Sequence, residues 1–182
     1  MNLPNRLTLA RIFLTCIFIV LAVEGRPDAW LALACFITAA VTDFADGYIA
    51  RKYGMVTAFG KIMDPVADKF LTLAAFFILA FDGLIPLWMV LAIAAREILV
   101  TASRIHRMTG GQVIPAEGSG KAKTVVQMVT IVVALFYRAI PLQGLLGSCW
   151  QGAIFVLIIL SVVLTIWSGV EYFLGLSKER DA

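Results

Sequence analysis

Apolar runs of nearly bilayer-crossing length recur along this chain with short polar punctuation between them, and that pattern constrains its fold more than any motif does. A backbone in lipid must satisfy its own hydrogen bonds, and a helix needs about 20 mostly apolar residues to cross. With 61% hydrophobic and 15% charged residues, the 182-residue chain reads as a single integral membrane domain, residues 1–182, with no internal repeat or low-complexity tract. The spacing predicts six transmembrane helices, at residues 7–23, 29–50, 63–81, 85–104, 124–137 and 152–173. Residues 1–7, with Pro4 among Asn2, Asn5 and Arg6, suit a short interfacial segment before the first crossing. The first run contains Arg11 and is followed by five further spans, so a retained helix is expected there, not a signal peptide.

Six crossings return both termini to one side, and the distribution of Lys and Arg chooses it. Arg6, Arg51, Lys52, Lys61, Arg107, Lys121, Lys123, Lys178 and Arg180 fall on the side of the termini, against Arg26 and Arg138 on the other. Both termini are therefore expected in the cytoplasm. Trp30, Trp88, Trp150 and Trp167 sit near span ends and read as interfacial anchors. Cys16, Cys35 and Cys149 lie in apolar runs without CxxC spacing, which implies neither disulfides nor a zinc site.

Four aspartates break this apolar pattern: Asp43 and Asp46 near the end of the second span, Asp64 and Asp68 at the start of the third. Carboxylates next to lipid are expensive and are usually kept for function. The two spans are consecutive and antiparallel, so both pairs are expected at one membrane side. At about 100° per residue, Asp43, Asp46, Gly47, Ala50 and Arg51 share a face of one helix, and Gly60, Asp64 and Asp68 form a stripe on the next. Four converging carboxylates repel one another and take up protons unless cations neutralise them. Divalent metal with all-oxygen ligation answers this, two ions being reasonable for four acids: Mg²⁺, Mn²⁺ or Ca²⁺. The small residues Gly47, Ala50 and Gly60 leave room for a bulky ligand near the backbone. The plainer alternative, interfacial ion pairs with Arg51, Lys52, Lys61 and Lys69, leaves those glycines unexplained.

The run Asp43, two residues, Asp46-Gly47, two residues, Ala50-Arg51, eight residues, Gly60, three residues, Asp64, three residues, Asp68 resembles the signature of the CDP-alcohol phosphotransferases at all eight fixed positions. That resemblance implies transfer of a phosphatidyl or similar group from a CDP-linked lipid to an alcohol, with release of CMP, at the cytoplasmic end of the helix bundle. It implies two divalent ions, Mg²⁺ or Mn²⁺. Asp43, Asp46 and Asp64 hold one, and Asp43, Asp64 and Asp68 surround the other. Asp68 takes the part of general base. Donor-binding positions implied by it are Asn5, Thr8, Gly47, Arg51, Thr57 and Gly60, Arg51 toward phosphate. Family resemblance also implies a homodimer.

The acceptor is read from Arg96, Arg104, Arg107, Lys121 and Lys123, cations on spans four and five or in their cytoplasmic connection. A small anionic alcohol suits them. The segments NLPNRLTLAR, AREILVTASR and GKAKTVVQM resemble the family branch that joins CDP-diacylglycerol to glycerol 3-phosphate. Some of these cations serve topology alone, Arg107 first among them. Glu97 reads either as a partner that steadies Arg96 or as a purely structural residue. His106, the only histidine, reads as a solvated interfacial residue, and the Gly-rich stretch MTGGQVIPAEGSG as a linker. Inositol phosphate, serine, choline and phosphatidylglycerol stand as alternative acceptors. A cation transporter is the rival outside enzymes, but its sites belong near the midplane of repeated halves. The expected setting is a bacterial inner (cell) membrane, with membrane lipids around the bundle and no nucleic-acid partner.

Overall fold

In a computed structural model, the backbone is described at residues 3–24, 29–53, 58–109, 119–140 and 142–180, and side chains at 9–24, 29–42, 66–67, 69–107, 120–140 and 142–176. Among the described residues there are six helices and no strand: α1 (Leu3–Glu24), α2 (Ala29–Tyr53), α3 (Ala58–Phe81), α4 (Leu87–Thr109), α5 (Ser119–Ala139) and α6 (Gly144–Arg180). The number of helices agrees with the hydropathy pattern. Their lengths exceed it, because apolar runs report only the part of a helix suited to lipid, while backbone hydrogen bonding continues into polar turns. The largest excess is in α6, whose 37 residues span about 55 Å at 1.5 Å each.

Two helices start earlier than the apolar runs suggest. Residues 3–7 form the first turns of α1, where Pro4 is tolerated because no intrahelical partner awaits its missing N–H. The third helix begins at Ala58, five residues before the expected start, and runs through Pro65. At its other end, Gly83 takes a left-handed φ of 73°. The Leu84 N–H then bonds Leu79 O and the Gly83 N–H bonds Ala80 O, each at 3.0 Å, the two bonds of a Schellman cap. Pro86 follows and α4 begins at Leu87.

Contacts between helices fix an alternating up-and-down order. Arg138, in the last turn of α5, donates from Nη2 to the Ala22 carbonyl near the end of α1 at 2.5 Å, and its Nε lies 2.8 Å from Asp82 just beyond α3. Trp30, near the start of α2, meets Phe136 edge-on at 5.6 Å, and Phe136 stacks with Trp150 near the start of α6 at 5.7 Å. The C-termini of α1, α3 and α5 therefore share one end of the bundle with the N-termini of α2 and α6. Phe18, Phe36, Phe76, Leu79, Ile93, Ile131, Leu135 and Ile158 fill the interior, with alanines 22, 32, 39, 75 and 134 fully buried where helices approach closely.

Outside, the surface is apolar: Phe13 is 67% exposed, Trp167 70% and Phe81 88%. Large exposed apolar side chains of this kind on the described helices are consistent with a membrane protein. Among the described residues, Gly120–Ala139 and Gly144–Leu176 are long and apolar enough to cross a bilayer. Within the described parts of α2 and α3, Ala29–Thr42 and Lys69–Phe81 are shorter apolar stretches. In such surroundings interior packing gains little from leaving lipid, so close contact and interhelical hydrogen bonds hold the helices together. The three cysteines are free, with Cys35 Sγ 3.4 Å from the Leu14 carbonyl.

Candidate active site

The alternating order carries the sequence-predicted residues to a common end. Asn5 and Thr8 stand in the first turns of α1, Asp43, Asp46, Gly47 and Arg51 in the last turns of α2, and Gly60, Asp64 and Asp68 in the first half of α3. The side chains of these nine lie outside the described residues, and Thr57 lies outside them altogether. Among the described residues there is no group of three or more metal-ligating side chains. The backbone places these four aspartates on α2 and α3, and carboxylate oxygen is the ligand type that a hard divalent cation takes.

Immediately inside that end, the described side chains build a polar cluster around Glu97. Its side chain is 2% exposed. A carboxylate withdrawn from water that far persists only with charge partners and hydrogen bonds. Three helices supply them. Lys123 of α5, 4% exposed, donates to Oε1. Lys69 of α3 stands 3.6 Å from Oε2, and Arg96, the neighbour of Glu97 on α4, 3.5 Å from Oε1. Gln127, one turn from Lys123 on α5, donates to Oε1 at 3.4 Å and to Thr165 Oγ1 of α6 at 3.0 Å.

Arg96 is turned toward α6, where its Nη2 donates to Ser168 Oγ at 2.8 Å. Gly169 makes that crossing possible, since a Cβ there would stand 3.0 Å from Arg96 Cγ and 3.4 Å from its Nε. Further along, Tyr172 of α6 donates to Ser103 of α4 at 3.3 Å. Arg104 follows Glu97 by seven residues, hence on nearly the same face of α4, and its half-buried side chain has a buried Nε without a hydrogen-bond partner. Lys121 is exposed.

Of the four cations expected to meet an acceptor, Arg96 and Lys123 thus belong to one buried cluster, Arg104 lies two turns beyond it, and Lys121 stands at the surface. Gln127, Thr165 and Ser168 were not anticipated. Their signal was present as polar residues at intervals of four and three in two apolar helices: Lys123, Gln127 and Thr130 on α5, and Ser161, Thr165 and Ser168 on α6. Each set lines one face, and the two faces meet.

A family model described as CDP-alcohol phosphatidyltransferase matches residues 1–167. The chain belongs to that family. Among curated relatives of this phosphatidyltransferase, a Bacillus subtilis protein named CDP-diacylglycerol--glycerol-3-phosphate 3-phosphatidyltransferase is 41% identical over all of this chain and 96% of its own length. A Rickettsia felis protein of the same name is 34% identical over 97% of this chain and 96% of its own. The aspartate run lies within the matched residues, as do Lys69, Arg96, Glu97, Lys123, Gln127 and Thr165.

Proposed function

We propose that this family member transfers the phosphatidyl group of CDP-diacylglycerol to glycerol 3-phosphate, giving phosphatidylglycerol phosphate and CMP in phospholipid biosynthesis. One observation carries the reading: the eight-position aspartate run stands on helices whose common end adjoins a buried cluster rich in cations. The names of the full-length relatives support the same donor and acceptor.

Asp43, Asp46, Asp64 and Asp68 would hold two divalent ions, Mg²⁺ or Mn²⁺. When bound, these supply charge neutralisation to the donor pyrophosphate and to the leaving phosphate. Arg51 donates to donor phosphate, while Asn5, Thr8, Gly47, Thr57 and Gly60 line the cytidine diphosphate side. Asp68 accepts the proton of the acceptor hydroxyl as its oxygen bonds to the phosphatidyl phosphorus. The bond from that phosphorus to the CMP oxygen breaks, and CMP leaves with the electron pair. Arg96, Arg104, Lys121 and Lys123 meet the acceptor's phosphate.

The setting proposed with this chemistry is a bacterial cell membrane crossed by all six helices, with termini and site cytoplasmic and the protein a homodimer. The Lys and Arg distribution supports that orientation. Purified enzyme supplied with CDP-diacylglycerol, Mg²⁺ and each candidate alcohol in turn tests the reaction. Release of CMP with glycerol 3-phosphate is expected. Turnover with inositol phosphate or serine and none with glycerol 3-phosphate would overturn the acceptor while leaving the family chemistry standing.

A further inference from the structure

Glu97 has no part in the reaction as written, yet it is the most buried charged side chain of the cluster and the point where α3, α4 and α5 meet electrostatically. We propose that Glu97 is a positioning residue for acceptor recognition: its carboxylate holds the ammonium of Lys123 and the guanidinium of Arg96 in the arrangement that receives a phosphate-bearing alcohol. This rests on the acceptor reading above.

The argument begins with repulsion. Lys69, Arg96 and Lys123 all lie within ion-pair distance of one carboxylate, so three positive charges share a small volume from which water is largely excluded. Long side chains of like charge splay apart unless something between them offsets the repulsion. Glu97 does so with both oxygens, Oε1 toward Lys123 and Arg96 and Oε2 toward Lys69. Its own orientation is set from behind by Gln127, which is tied in turn to Thr165 of α6. Arg96 is fixed at a second point by Ser168, over a glycine that leaves it room.

Each cation thus keeps a defined place before any ligand arrives. A site built in advance loses less entropy on binding, and a misplaced ammonium forfeits a charge-assisted hydrogen bond. The opposing effect has the other sign, since a carboxylate beside an anion site repels the anion. Positioning outweighs it here because both oxygens of Glu97 are already engaged by cations and face them.

The test is a double-substitution cycle in purified enzyme: wild type, Glu97→Gln, Lys123→Ala and the pair, with separate KM values for glycerol 3-phosphate and CDP-diacylglycerol and a melting curve for each. Glu97→Gln keeps the shape and removes the charge. It is expected to raise KM for glycerol 3-phosphate about tenfold or more, the worth of a hydrogen bond to a charged group, with the donor's KM within about twofold. The double variant should fall clearly short of additivity toward the acceptor, because the part of the Glu97 effect that runs through Lys123 is already lost in Lys123→Ala and only the part through Arg96 remains. Should Glu97→Gln fail to fold, Glu97→Asp, which keeps the charge one methylene short of its partners, carries the test with a smaller selective rise. An unchanged or lowered acceptor KM, equal changes for both substrates, or additive effects in the double variant each overturn the proposal. If wild type itself does not use glycerol 3-phosphate, the acceptor reading falls and this inference with it; a wild type that uses it beside an indifferent Glu97→Gln sinks this inference alone.

Discussion

Each end of the bundle carries a cluster of ion pairs, and the two are built to different proportions. At the Arg138 end, one guanidinium serves one carboxylate, Asp82, and one helix-terminal carbonyl, Ala22. At the Glu97 end, three cations from three helices share one buried carboxylate among the described residues. A matched pair that also ties off a backbone oxygen is explained by the helices it joins. Three cations that meet at one buried carboxylate, beside the aspartate run, suit the anionic acceptor proposed above. Burial and charge alone mark both ends, so proportion is what separates a fastening from a binding site.

Sharp tests of that contrast change one end and read both stability and turnover. Largest is the expected effect of Asp68→Asn, which removes the proposed base without changing shape: kcat should fall about 10²–10⁴-fold at saturating Mg²⁺, with melting unaltered. Near-normal turnover under those conditions would withdraw Asp68 from the base role. Removal of divalent metal by chelator should abolish activity, and Mg²⁺ or Mn²⁺ should restore it. Full activity after thorough stripping would break the reading of the aspartates as metal ligands.

Arg138→Ala should do the reverse of Asp68→Asn. It leaves Asp82 without its charge partner and the Ala22 carbonyl without a donor, a loss of about 3 kcal/mol in stability in detergent. Both KM values should hold. A selective rise in either would mean that the Arg138 end also belongs to the site. Arg104→Ala is intermediate: a contact to the acceptor's phosphate is worth about 1.5–3 kcal/mol, read as a rise in the KM for glycerol 3-phosphate with the donor's unchanged.

The grosser features of this molecule were legible in its sequence because each rests on a local rule. Apolar runs gave the six helices, and the aspartate run lies on helices α2 and α3, whose alternation with their neighbours brings its segments to one end. Helix starts were less legible, because an apolar run marks only the part of a helix suited to lipid, while α1 and α3 begin in polar turns, α1 with Pro4 in its first turn and α3 running on through Pro65 at the loss of a hydrogen bond. Glu97 was left undecided between partner and structural residue for a different reason. Its neighbour Arg96 is visible in sequence, but Lys69 and Lys123 lie 28 and 26 positions away, and only the packing of α3, α4 and α5 brings them together. Gln127, Ser168 and Thr165 were legible as a periodicity, though that periodicity does not say which two faces meet.

The smallest expected effect tests where the site stops. The polar seam between α5 and α6 continues past Gln127 and Thr165 to Thr130 and Ser161, whose hydroxyls are 2.9 Å apart and fully buried. If proportion separates fastening from function, this pair is fastening, because both groups are neutral and satisfied within the seam. Ser161→Ala removes one hydroxyl, yet Thr130 still donates to the Val126 carbonyl at 2.7 Å, so no buried donor is stranded. The loss should be that of an ordinary interhelical hydrogen bond in a membrane bundle, about 0.6 kcal/mol, and not the larger cost of an unsatisfied group. A small drop in melting temperature with both KM values unchanged is expected. A selective rise in the acceptor's KM would show that the seam transmits to the Glu97 cluster through Thr165 and Gln127, and the boundary of the site would have to be redrawn one helical turn deeper into the bundle.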